Sequence, residues 1–493
     1  MVLSAAEGEV LRSTTDAVSQ GLVAAIIVGV FVLLSLEKAH RVLVIFGAVA
    51  LLWLITYLTP FKLISFEGAK NALDLNVLLL LAAMMAAVGV LKTTGVFPWA
   101  VGRLLQRAGG RPRLIQSLIA WFTGTVSAFA DNVTTVIFVT PMSTEMARLT
   151  GVRPAAYLLP MVMAANIGGT ATLIGDPPNI MIGSGANLSF MDFILDLTVP
   201  VLWMMVLLEF FSRWYYRSSL AVTGSGTPTF AQPEIHDRQL LKWSLSITAL
   251  IFLGFVTHSM TGMPVAVPAV IGAAAILVVQ DILYVRRHRP SHNERVHGLL
   301  EVIEKEIEWP TLTFFAFLFI AVGAAVETGL IDRMASGLGW VISQGRDSLG
   351  LSEQGTVLFA ALMILWGSGF LSALIDNIPY VAVTIPIVAR LIDTLPGHPN
   401  TLWWALALGA CLGGNGTAIG ASANVTTIGL AEKEGTRISF REFTRFGASV
   451  ASLTLVISSI FLAGYVYLGD GLVFRVGLAG LAIILAVRIL LRR

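Results

Sequence analysis

Long apolar runs separated by short polar loops dominate the chain, near 21–36, 42–58, 74–91, 154–184, 198–212, 243–258, 264–284, 309–328, 401–430, 446–468 and 473–488. Runs of this length predict helices that cross a bilayer, which gives eleven crossings. Two further apolar stretches, 114–147 and 354–389, are each interrupted midway by a polar SAxxDN string. Each reads as two half-length helices forming a re-entrant hairpin that does not cross. The segments 97–107 and 331–343 have the pattern of amphipathic helices lying along the interface. The expected fold is an all-α polytopic membrane protein.

The interrupted stretches match each other. A shift of 245 residues lays Trp121, Gly124, Ser127, Asp131, Asn132 and Pro141 on Trp366, Gly369, Ser372, Asp376, Asn377 and Pro386. The same shift lays Gly168, Gly169, Thr172, Gly175 and Asn179 on Gly413, Gly414, Thr417, Gly420 and Asn424. A fainter match pairs Val88, Gly89, Thr94 and Gly95 with Val322, Gly323, Thr328 and Gly329. This is a duplication. It divides the chain into repeat one (1–216), a cytoplasmic linker (217–242), repeat two (243–468) and an extra C-terminal transmembrane helix (469–493). Each repeat holds five crossings plus a hairpin. Five is odd, so the repeats are expected to sit upside down relative to one another, the arrangement of many secondary transporters.

Composition sharpens the class. Of 493 residues 56% are hydrophobic and 13% charged, whereas soluble domains run near a quarter charged. Only Arg12, Lys62, Lys70, Arg333, Arg346, Arg390 and Arg475, seven of the 32 Lys and Arg residues, fall on one side of the predicted layout. A miscounted crossing would have mixed the two populations. By the positive-inside rule the N-terminus is expected outside and the C-terminus in the cytoplasm, with the chain multi-pass in the inner membrane. The stretch 1–20 lacks the basic region and cleavage site of a signal peptide, so 21–36 reads as a retained span. One cysteine, Cys411, excludes a disulfide framework. The histidines show no metal-ligand spacing, and His288, His292 and His297 share one charged loop, 285–308, which starts basic and ends acidic and helical. No cofactor and no nucleic-acid partner is expected. No nucleophile–base pair can be assembled, so an enzyme is the least favoured class. Lys92 and Glu327, next to loops, read as interfacial anchors.

The chemistry lies in the interruptions. SAFADNVTTV puts Asp131 and Asn132 at the tip of hairpin one, and SALIDNIPYV puts Asp376 and Asn377 at the tip of hairpin two. A carboxylate at bilayer depth costs roughly 2.5–3.5 kcal/mol on insertion scales, so it is retained with a partner, water, an ion or a proton. The plainer reading is a polar bridge that closes each hairpin. The run Asn166-Ile-Gly-Gly-Thr-Ala-Thr-Leu-Ile-Gly-Asp-Pro-Pro-Asn179 predicts a break inside the span 154–184. Glycines accept strained angles and Pro177 and Pro178 cannot donate to the ladder, which frees carbonyls near Ile174 and Gly175 for a cation. Half-helix ends add partial charges. The counterpart, Gly413 to Asn424, has Ala421-Ser422-Ala423 where repeat one has Asp176-Pro177-Pro178. Close helix packing is the plainer reading of the glycines, and capping of the half-helix at Pro177 is that of Asp176. The candidate ion- and substrate-binding set is Ser127, Asp131, Asn132, Asn166, Thr170, Gly175, Asp176, Asn179, Ser372, Asp376, Asn377, Asn415, Gly420, Ser422 and Asn424.

At these motifs the chain resembles the ion transporter superfamily, which includes divalent anion/sodium symporters, citrate transporters, arsenite efflux permeases, silicic acid efflux transporters and the pigmentation P protein. SAFADNVTT and ANIGGTATLIGDPPN are most similar to the P-protein and arsenite-permease branch. The resemblance implies a scaffold domain, a transport domain carrying the hairpins, elevator-like motion and a homodimer. It also implies one proton or sodium site at Asp131, Asn132 and Gly175, another at Asp376, Asn377 and Gly420, and substrate between the tips. Sodium/dicarboxylate members carry Ser-Asn-Thr at the tips, where this chain has Asp131-Asn132-Val133 and Asp376-Asn377-Ile378.

The expected function is secondary transport of a small inorganic solute or anion coupled to protons or sodium. Arsenite-type efflux is favoured, because As(OH)3 is neutral at pH 7 and neither motif contains Lys or Arg. A buried carboxylate can exchange a proton for a cation, which the symporters' serines cannot. The alternatives are a sodium/proton antiporter, a citrate or dicarboxylate transporter, and an ion channel.

Overall fold

The computed structural model describes residues 17–36, 38–221, 233–288, 303–396 and 399–490. Arg12, His292, His297 and the middle of the linker lie outside these residues. Among them every regular element is helical. The first half runs α1 (Ala17–Ser35), α2 (Arg41–Leu58), α3 (Phe66–Ala72), α4 (Leu75–Thr93), α5 (Val96–Ala108), α6 (Pro112–Ser127), α7 (Asn132–Thr150), α8 (Ala155–Gly169), α9 (Pro177–Ala186) and α10 (Phe190–Tyr215). The second runs α11 (Arg238–Thr261), α12 (Ala266–His288), α13 (Trp309–Glu327), α14 (Leu330–Leu349), α15 (Glu353–Leu374), α16 (Asn377–Ile392), α17 (Pro399–Gly413), α18 (Ser422–Lys433) and α19 (Phe440–Leu468), followed by α20 (Asp470–Leu490).

Nine helices of the described residues are long and apolar enough to cross a membrane. They include α15, which the sequence pattern makes half-length, and omit α20 and the two broken spans, whose halves are each too short. At 22 residues α15 is a full-length helix and not the half-length arm expected. The seven-residue α3, capped by Ser65 through the Gly68 N–H at 2.9 Å, falls in a stretch the hydropathy pattern left as loop. The interfacial segments form α5 and α14, each entered through a glycine with positive φ, Gly95 at 77° and Gly329 at 71°. Only glycine adopts that angle without Cβ strain.

Packing follows the duplication in a crossed manner. Within each half the first hairpin arm lies along the first half of the broken span, α6 on α8 and α15 on α17. Between halves, α4 packs on α12 while α13 packs on α2, and α9 packs on α16 while α18 packs on α7. Gly323 of α13 meets Ala72 of α3, and Gly89 of α4 meets Glu306, which precedes α13. Lys92 pairs with Glu306 at 2.9 Å, and Glu327 accepts the Ser65 N–H at 3.3 Å. Both charges therefore tie a crossing to the opposite half. The indoles at matching positions anchor the hairpins to the long helix that follows each break: Trp121 donates to Glu209 at 3.0 Å and Trp366 to Ser459 at 3.1 Å.

Candidate functional site

Each tip is a helix start. Asp131 caps α7, accepting the Thr134 N–H at 2.9 Å, and Asp376 caps α16, accepting the Ile378 N–H at 3.1 Å. Capping occupies one oxygen of each carboxylate in part, so the bridge reading accounts for the local turn but leaves acceptor capacity over.

The breaks fall where the glycines and prolines predict. Between α8 and α9 the chain runs irregularly from Thr170 to Asp176, and the amide of Asn179 reaches back to the carbonyls of Gly169, Thr170 and Thr172 at 3.4, 3.1 and 2.8 Å. Asn424 holds Gly414 and Thr417 at 2.8 and 2.9 Å in the same way. Thr172 and Thr417 each donate to the hairpin beside them, at Ala128 and Ala373. Among the described residues nothing donates to the carbonyls of Ile174, Gly175, Ile419 or Gly420. These are oxygens a cation can take.

The glycines divide between two duties. A Cβ on Gly168 would enter the backbone of Gly124, and one on Gly413 the backbone of Gly369, so these serve close helix crossing. Gly169 with Gly175, and Gly414 with Gly420, instead close the break on itself. A Cβ on Gly175 would lie 2.5 Å from the Gly169 oxygen, and one on Gly420 2.6 Å from the Gly414 oxygen.

Asp176 is buried at the start of α9 and its side chain makes no capping bond; its Oδ2 has no hydrogen-bond partner. The capping explanation of this side chain therefore fails: after Pro177 and Pro178 the first helical N–H is that of Asn179, and it donates to the Asp176 main-chain carbonyl at 3.0 Å. Ser127 Oγ and Asn132 Oδ1 are likewise buried without partners. Ser372 differs, donating to Ala410 at 2.5 Å.

A cavity of about 590 Å³ is lined by both Asp131 and Asp376, with Thr134, Ile174, Ile419 and Ser422 beside them. Of the candidate set, Asp131, Asp376 and Ser422 face it. Asn166, Thr170, Asp176, Asn179, Asn415 and Asn424 lie behind it in the core. Arg41, His40 and Glu308 also line this cavity, and the sequence reading missed them. Arg41 donates to Thr311 at 2.7 Å and lies 5.8 Å from the Phe314 ring centroid; Thr311 donates to Glu308 at 2.8 Å. No local signal marks them, since Arg41 begins an ordinary span after a short loop.

A citrate transporter family model matches residues 31–409. An uncharacterized transporter of Mycobacterium tuberculosis is 36% identical over 442 residues, covering 89% of this chain and 96% of that one. The P protein of Mus musculus is 30% identical over 519 residues, covering 89% of this chain and 59% of its own length. The crystal structure of the Alcanivorax borkumensis YdaH transporter superposes with a TM-score of 0.60 at 15% identity, over 87% of this chain and 99% of that one, a likeness of fold. The protein is a membrane transporter and not an enzyme. With three quarters of its length matched end to end, the chain belongs to the citrate transporter family.

Proposed function

We propose that the protein is a secondary active transporter in which Asp131 and Asp376 bind protons or sodium and the solute binds between them. One observation carries this: the two carboxylates, 245 residues apart, line a single cavity. The unpartnered oxygens of Asp176, Asn132 and Ser127 and the free carbonyls of Gly175 and Gly420 support two cation or proton loops behind it. The crossed packing of the halves supports inverted repeats 1–216 and 243–468, joined by a cytoplasmic linker and followed by one extra helix. Alternating access by elevator-like motion, a homodimer, and inner-membrane placement with the N-terminus outside complete the reading.

Arsenite-type efflux rested on the lack of basic residues in the motifs. Arg41 changes that balance, because a guanidinium with donors to spare favours an anion, and a carboxylate solute such as citrate fits it better than neutral As(OH)3. Flux into proteoliposomes tests the proposal: citrate or arsenite should accumulate uphill when a proton or sodium gradient is imposed. Downhill leak alone would indicate a channel. Cation-driven proton movement without either solute would indicate a sodium/proton antiporter.

A further inference from the structure

Asn166, in the last turn of α8, is 1% exposed and joins the two halves. Its nitrogen donates to Asn415 Oδ1 at 2.8 Å and Asn424 Oδ1 at 3.0 Å, and its oxygen accepts from Asn132 at 3.2 Å. The amide orientation is forced. Asn424 spends its nitrogen on the Gly414 and Thr417 carbonyls, so it can offer Asn166 only an oxygen. A continuous line of three buried amides thus runs from tip one to the unwound loop of the other repeat.

The matching position in repeat two is Cys411, by the 245-residue shift. Its thiol lies 3.6 Å from Asn179 Oδ1, the mirror of the Asn166–Asn424 contact, with Thr170 and the Asp176 carboxyl alongside. A thiol is a weak single donor, and no side-chain hydrogen bond of the described residues joins Cys411 to Asn377. Tip one is wired across the pseudo-symmetry and tip two is not.

We infer that Asn166 is a positioning residue that couples the two ion loops, so that occupancy of tip one sets the shape of loop 414–420; this rests on the ion-coupled reading above. A cation taken by the unpartnered Oδ1 of Asn132 re-aims an amide whose nitrogen holds Asn166. Asn166 in turn holds the amide that clamps Gly414 and Thr417. By linkage the second loop must affect the first equally.

The test uses the full chain in detergent, recording the unfolding midpoint against sodium at fixed pH and ionic strength, and against pH at fixed sodium. The wild type should respond with a Hill coefficient above one. Asn166→Leu, close in shape but unable to hydrogen-bond, should bring it to one and weaken half-saturation by about 5-fold or more. Cys411→Asn, which supplies the missing relay, should steepen or tighten the response. A merely structural Asn166 would lower the midpoint without changing the steepness, and that result overturns the inference. If Asn166→Leu does not fold, Asn166→Asp, which keeps the volume but removes the donor to Asn415 and Asn424, takes its place, and an unchanged steepness overturns the inference. A wild type with a Hill coefficient of one sinks the coupling while leaving the transporter reading intact. A wild type indifferent to both ions sinks the ion-coupled reading itself.

Discussion

Replacing Gly175 by alanine tests whether the broken span is closed by a glycine pair. The new Cβ would stand 2.5 Å from the Gly169 oxygen, 2.8 Å from its Cα and 2.8 Å from the Ser127 oxygen. Ordinary contact begins at 3.4 Å, so the nearest atom must retreat by about 0.9 Å. All three neighbours are backbone, and no side-chain rotamer can relieve the clash. Overpacking of this kind costs about 1–3 kcal/mol. The displaced segment is also the one whose carbonyls Asn179 gathers, so ion response should fall with stability. Gly420→Ala should behave alike, with 2.6 Å to the Gly414 oxygen and 3.0 Å to that of Ser372. Gly337→Ala is the control: it lies inside α14 with nothing within 4 Å, and should gain about 0.5–1 kcal/mol from helix propensity. The assay is the unfolding midpoint in detergent, followed by flux in proteoliposomes. A Gly175→Ala protein as stable and as ion-responsive as wild type would refute the reasoning.

Three further outcomes can be measured in proteoliposomes. Asp131→Asn should abolish proton-driven flux while leaving the midpoint near wild type, because the amide oxygen can still accept the Thr134 N–H; retained proton coupling would remove Asp131 from the mechanism. Asp176→Asn should shift the pH profile of flux more than its maximal rate, since the carboxyl makes no capping bond to lose; a superimposable profile would return it to a structural role. Arg41→Gln should raise the KM for citrate by about 10-fold or more with little change in kcat, the worth of a charge-assisted hydrogen bond of about 1.5–3 kcal/mol, and should leave arsenite flux unaltered. Equal effects on both solutes would rule out an anion anchor.

Much of the architecture was legible in sequence because it is written locally. An apolar run near twenty residues long has one low-energy solution in hydrocarbon, and Gly-Gly or Asp-Pro-Pro inside it removes ladder hydrogen bonds wherever it occurs. The observed breaks at 170–176 and 414–421 therefore sit where those residues are. The 245-residue shift likewise announced which positions would correspond. Other features depended on docking. α3 is too short and polar to leave a hydropathy trace, and α15 runs to 22 residues where the polar interruption pointed to a half-length helix. The glycines look equivalent in sequence, yet Gly168 meets a helix while Gly175 meets its own loop. Arg41 reaches the cavity only because α2 packs on α13, which brings Thr311 and Phe314 under its guanidinium from 270 residues away. The same holds for Asn166 and Asn424, 258 residues apart. A hydrogen bond between distant side chains is set by how two folded halves meet, and hydropathy, helix-breaking and spacing carry no information about that meeting.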